Sequence, residues 1–192
     1  EMEERLAAEG YGIDCQDVYR AGANTVREAL RETGLTPPEG YLVIDAETLS
    51  YPDTIREAQA LMAANGVAPV STALLSGKHG PCAFAAITGP GGDIVATAFS
   101  HFPHNVHSPH EDTAWAGLAT VDPEHRSRGL GTLANALAMR GMIERKGART
   151  LYELAEPGDE PSRRMAERCG LSLDTTVACG VARPLEAEGV TR

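Results

Sequence analysis

Strands and helices interleave along this chain, which predicts an α/β (α+β) fold. Three observations carry the prediction. An apolar run at residues 114–121 passes through a basic loop with two glycines into a helical pattern at 132–146. Two β-compatible stretches, 82–88 and 94–102, flank Gly89-Pro90-Gly91-Gly92-Asp93, which is hairpin turn chemistry. Beyond the helix come a strand-like stretch (149–154), a short helical one (162–169) and a last strand-like one (175–181). With 192 residues, 42% of them apolar, the chain suits one ordinary domain with a real core.

Residues 1–36 read as a helical extension ahead of a main domain over 37–192. Within it, residues 17–31 hold Val18, Tyr19, Ala21, Val26, Ala29 and Leu30 in a loose amphipathic pattern, ended by Gly34 and Pro37-Pro38. Such an extension covers the domain or contacts a partner subunit, a homodimer included. Met2 following Glu1 points to an added first residue or a fragment. Residues 41–46 read as the first strand. Asp53 is a candidate N-cap for a helix to Asn65, closed by Gly66. In the long helix, Leu130, Leu133, Ala134, Leu137 and Gly141 make one buried stripe, and Gly147 ends the helix. Gly170 ends the short one. The order is β-α, β-hairpin, β-α-β-α-β.

The net charge of −10 argues against non-specific nucleic-acid binding and favours a cationic or neutral substrate. No apolar run reaches the ~18 residues of a membrane span, and the acidic N-terminus lacks a hydrophobic signal core, so a cytoplasmic location is expected. Cys15, Cys82, Cys169 and Cys179 form no C-x-x-C motif and read as reduced thiols.

The strand–loop–helix junction at 121–132, V-D-P-E-H-R-S-R-G-L-G-T, has the chemistry of a phosphate site. Glycines allow close approach, the first N–H groups of the helix are unpaired, and its dipole favours an anion. Arg126 and Arg128 add charge there. Gly129 to Ala134 also fits the dinucleotide pattern G-x-G-x-x-A, with Glu153 near the acidic position. That pattern wants its first glycine directly off a strand, whereas residues 122–128 intervene, and too few βα units follow.

Val121, Pro123, Arg126, Gly129 and Gly131 match V-x-P-x-x-R-x-x-G-x-G. This strongly resembles the acyl-CoA site of the GNAT family of N-acetyltransferases, and element order extends the resemblance over about residues 41–184. The resemblance implies a mixed, mostly antiparallel sheet flanked by helices. It implies acetyl-CoA as cofactor, held by Ala119, Thr120, Val121, Arg126, Ser127, Arg128, Gly129, Leu130, Gly131 and Thr132, with Asp159 and Ser162 at the family's later polar positions. It further implies acetyl transfer to a primary amine, on a small molecule or a peptide, by direct attack in a ternary complex. The alternative is an acyl-CoA-binding domain without transferase activity, as a sensor or part of an assembly.

The usual GNAT glutamate and tyrosine are absent: Trp115 stands eleven residues before Arg126, and Ala166 four before Gly170. An ammonium acceptor must still lose a proton. The candidates are Glu111, Asp112, His101, His104, His107 and His110, with Glu111, His107 and His110 preferred as base and Tyr152 as proton donor to the leaving thiolate. The four histidines recur every three residues, which also suggests a metal site, but Pro103 and Pro109 break any helix that would align them and no metal is assigned. His125 faces solvent or a cofactor phosphate, Cys169 reads as a packed thiol, and Trp115 as core or acceptor-pocket wall.

Overall fold

The computed structural model describes residues 2–45, 48–67 and 70–185. Among them eight strands form one sheet: β1 (Tyr11–Gly22), β2 (Leu42–Val43), β3 (Cys82–Thr88), β4 (Ile94–His101), β5 (Thr113–Val121), β6 (Thr150–Ala155), β7 (Ser172–Leu173) and β8 (Cys179–Pro184). The helices are α1 (Met2–Ala8), α2 (Ala23–Thr33), α3 (Pro52–Ala64), α4 (Thr72–Leu75), α5 (Leu130–Lys146) and α6 (Glu160–Arg168). The strand order is β2-β3-β4-β5-β6-β1-β7, and β8 pairs with β1. Every pair is antiparallel except β5–β6. A parallel pair needs a long crossover, and α5 supplies it.

The sheet carries helices on both faces because its strands are apolar on both. Ala83, Ala85 and Ile87 of β3, Ala96 and Ala98 of β4, and Ala114 and Ala116 of β5 share clusters with the α5 residues Leu130, Leu133, Ala134, Met139 and Met142. Small side chains let α5 sit close: a Cβ added at Gly141 would lie 2.8 Å from that of Ala83. On the other face, Ile55 and Leu75 of α3 and α4 pack with Phe99, Phe84 and Trp115. The β3–β4 turn closes as its glycines predict, with the Gly89 N–H donating to the Asp93 carbonyl at 2.9 Å.

The N-terminal reading needs correction. Residues 11–22 are not helical. They form a 12-residue strand paired on one side with β6 and on the other with β7 and β8. The loose helical pattern mixed two elements, Val18 and Tyr19 from the strand with Val26 and Leu30 from α2. Polar Asp14, Gln16 and Asp17 hid the strand's period, and its partners lie 128 or more residues away, as in Val18↔Leu154. The first expected strand shrinks to Leu42–Val43; Ala46, at its expected end, lies outside the described residues. Tyr51, not Asp53, precedes α3, with Pro52 at its first position. The last strand begins at Cys179, because Asp174 organises a turn at 174–176 through the Thr176 N–H, 2.9 Å away.

Candidate functional site

The parallel pairing of β5 and β6 covers only Thr113↔Thr150, Ala114↔Leu151 and Trp115↔Tyr152. Beyond that point the strands part, and the remainder of β5, residues 116–121, keeps an edge not paired with β6. A bulge in β5 helps to part them: Thr97↔Thr120 and Phe99↔Gly117 leave an extra residue on β5, and Leu118 adopts φ 52°. Among the described residues only Leu118 and Ser127 combine a side chain with positive φ, and both belong to this region. Backbone strain of this kind persists where the surroundings over-determine it, commonly at functional sites.

At the end of β5 the loop is built from local bonds. The Asp122 carboxylate accepts from the Glu124 N–H at 2.9 Å and caps a 3₁₀ turn, Pro123–His125. Tyr41, a buried residue, hydrogen-bonds His125 Nδ1 through its hydroxyl at 2.9 Å and fixes that ring. Arg126 donates to the Val121 carbonyl at 3.2 Å and to Asn65 Oδ1 at 2.9 Å, tying the loop to the end of α3. Ser127 at φ 61° and Gly129 at φ 79° then turn the chain into α5. Gly129 is left-handed and Leu130, which opens α5, is right-handed; such a pair turns successive N–H groups toward one point and forms an anion nest, here continuous with the unpaired N–H groups of the helix start. A Cβ at Gly131 would come within 3.3 Å of a Val121 methyl, so a side chain there would crowd the cleft that both residues line.

A cleft of about 760 Å³ runs along this edge. Of the sequence-predicted residues, Ala119, Thr120, Val121, Arg126, Ser127, Gly129, Leu130, Gly131, Thr132 and Ser162 line it. Arg128 and Asp159 do not. Arg128 is exposed outside the cleft. Asp159 caps α6 instead, accepting from the Ser162 N–H at 3.2 Å and from its hydroxyl at 2.6 Å. The sequence reading missed Asn65, Val67, Met165, Arg164 and Arg168 as lining residues. The helical spacing of Pro161, Arg164, Met165 and Arg168 was the signal for α6. Glu160 binds Arg163 and Arg164 at 2.6 and 3.0 Å, and these guanidiniums hold its carboxyl down at about 2.

On the α3/α4 face, register aligns Cys82, His101, Trp115, Tyr152 and Arg20 in one row across five strands. The Trp115 indole lies over Gly117, where a Cβ would be 2.5 Å from the ring. His101 meets the indole edge-on at 5.6 Å and stacks on Phe99 at 5.3 Å; burial holds its pKa below the usual range. Beyond the indole stands a second group: His104 lies 6.2 Å from the Tyr152 ring and 5.6 Å from His110. Burial, and secondarily Cys179, pushes the Tyr152 hydroxyl up. Of the predicted catalytic residues the structure thus joins His110 and Tyr152, through His104. Glu111 and His107 are exposed, and among the described residues no bond or ring contact joins their side chains to this group. No cluster of three or more potential metal ligands occurs among the described residues. Ala166, at the family's tyrosine position, is core, only 1% exposed.

Beneath the site, Glu153 is buried and accepts from Asn135 Nδ2 at 2.8 Å; burial pushes its carboxyl up to about 8 against the pull of that bond. Cys169 is wholly buried beside them, and burial pushes its thiol up to about 12.

The acetyltransferase (GNAT) family model matches residues 43–171. No curated protein sequence matches the chain significantly. In structure it is similar to a GCN5-related N-acetyltransferase from Kribbella flavida, at 20% identity and TM-score 0.61 over 92% of this chain. It is also similar to a GCN5-related N-acetyltransferase from Sphaerobacter thermophilus (16%, 0.59, 93%) and to a tandem GNAT protein of the clavulanic acid biosynthesis pathway (14%, 0.63, 92%). It spans 60%, 54% and 55% of those three chains. At such identities the structures speak for the fold. The family match covers well over half of the chain and contains the whole junction from parting strands to glycine nest: the protein belongs to the GNAT acetyltransferase family.

Proposed function

We propose that this domain transfers an acetyl group from acetyl-CoA to a primary amine, on a small molecule or a peptide, by direct attack. The observation that carries the reading is the opening of β5 from β6 after three paired residues, continuous with the nest where Gly129 turns into α5. The residues fit the cofactor. The nest and the first N–H groups of α5 suit a pyrophosphate, and the free edge of β5 suits the amides of a pantetheine arm, added like a strand. From Val121 back to Trp115 is six residues, about 20 Å of strand, which leads from the phosphate end to the row containing Tyr152. Acetyl-CoA supplies an acyl group activated as a thioester.

The chain's own part is to hold and orient. Gly131 keeps the approach open, Arg126 and the α6 residues Arg164 and Arg168 bring positive charge to the cleft, and α3 closes one side through Asn65. Cys169 is no candidate for an acyl-enzyme nucleophile: it is buried, with its thiol pushed up to about 12, and is neither reachable nor ionised.

Calorimetry with CoA tests the binding half. Wild type should bind CoA and not NADH, and Gly131→Val should lose at least tenfold in affinity; unchanged affinity refutes the placement. Release of CoA thiol from acetyl-CoA across an amine panel tests the transfer half.

A further inference from the structure

We infer that His104 is the general base of this domain, taking a proton from the acceptor ammonium above Tyr152. The inference rests on the acetyl-transfer reading and deepens it. Four observations lead to it. Trp115↔Tyr152 is the last pair before β5 and β6 part, so the reacting carbon belongs beside this row. The family's strand carboxylate is replaced there by Trp115, whose indole lies over Gly117 and packs on His101. What remains at the apex is Tyr152, with the His104 ring centred 6.2 Å from the tyrosine ring and inclined to it by 31°. His104 is half-buried, and among the described residues no hydrogen bond or ion pair engages its ring nitrogens. The rings that meet it are Tyr152 below and the exposed His110 at 5.6 Å.

The location follows from the chain. β4 ends at His101, and Phe102 and Pro103, outside regular structure, lead to position 104, whose ring lies near Tyr152 of β6. Among the described residues no carboxylate or cation pairs with His104. The titratable groups facing it are Tyr152 from β6 and His110 from its own loop, and Cys179 of β8 lies close enough to Tyr152 to help raise its hydroxyl. Histidine is the side chain suited to taking a proton near neutral pH and returning it to water.

The protons balance. The ammonium gives one proton to a His104 ring nitrogen, which passes it to solvent by way of exposed His110. The neutral amine attacks the thioester carbonyl; the C–N bond forms and the C–S bond breaks. Tyr152 gives its hydroxyl proton to the departing sulfur and recovers the proton that the new amide nitrogen sheds. One proton leaves per turnover, as conversion of an ammonium and a thioester to an amide and a thiol requires.

The test measures CoA thiol release from acetyl-CoA with benzylamine, tryptamine, spermidine and an alanine-headed tripeptide as probe acceptors. His104→Ala should lower kcat/KM by about 10²–10⁴-fold and flatten the acid limb of its pH profile. It should be rescued by added imidazole, and should bind CoA like wild type in calorimetry. A merely structural histidine gives no imidazole rescue and no change of limb. His104→Gln covers the case in which the alanine variant is unstable. Retention of the acid limb, or lack of rescue in a folded variant, overturns the assignment. No turnover by wild type with any probe overturns it too; the CoA calorimetry then decides separately whether the acyl-CoA site stands.

Discussion

Replacing Glu153 by Gln should stabilise this domain increasingly as pH rises. The carboxyl is 4% exposed on β6, facing Asn135 of α5. Its Oε1 accepts from Asn135 Nδ2, while Glu153 Oε2 and Asn135 Oδ1 are buried without partners. Two orphan acceptors side by side are costly if Glu153 is ionised. A proton on Oε2 supplies the missing donor, and burial accordingly pushes the group from 4.5 up to about 8. The unfolded chain gives up this proton near 4.5. Between there and about 8 the native state holds a proton that the unfolded state has lost, so stability falls as pH rises. The contribution is whole below about 4.5 and gone above about 8. At about 1.4 kcal/mol for each tenfold change in proton affinity the interval is worth about 5 kcal/mol as an upper bound, and water penetration trims it to about 2–5. The glutamine amide keeps the shape, donates to Asn135 Oδ1 and never ionises. Thermal melts of both proteins from pH 5 to 9 check this. The two should nearly coincide at pH 5, and E153Q should melt about 4–20 °C higher by pH 8–9, taking about 2–4 °C per kcal/mol for a chain of this size. A difference that stays flat with pH, or a less stable E153Q throughout, refutes the buried neutral acid.

Two further outcomes are expected. Arg126→Ala removes the loop's bonds to the Val121 carbonyl and to Asn65 along with one cleft charge; CoA affinity by calorimetry should fall by about 1–3 kcal/mol, with turnover at saturating CoA changed less. Gly170→Ala puts a side chain at φ 87° with its Cβ 2.8 Å from that of Ala29, so urea denaturation should show a loss of about 1–3 kcal/mol, α2 and α6 being wedged apart.

The junction around Gly129 and Gly131 was readable because its determinants are local. A strand, a capped turn, two glycines and a helix start lie within about twenty consecutive residues, and each residue type is there for its own backbone geometry. The β3–β4 hairpin was readable for the same reason: the turn chemistry of 89–93 fixes the pairing on either side. Arg128 and Asp159 show where local reading stops. Both carry the right chemistry at the family's positions, but the direction of Arg128 and the capping bonds of Asp159 depend on how the loop and α6 sit.

What tertiary structure alone decided is which distant pieces meet. The polar stretch 11–22 is a strand because β6, β7 and β8 offer it edges; its own alternation is too weak to announce that. Four evenly spaced histidines look equivalent in sequence. Only the strand register, which places Tyr152 beside Trp115, and the turn after β4 single out His104 and leave His107 in solvent. Glu153, which fell near the acidic position of the dinucleotide pattern that the sequence argued against, lies on the buried side of β6 because side chains alternate along a strand: Tyr152 takes the α3/α4 face and the next residue must take the other. Sequence determines backbone geometry where neighbours in the chain suffice, whereas a site assembled from five strands exists only once long-range packing has set their register.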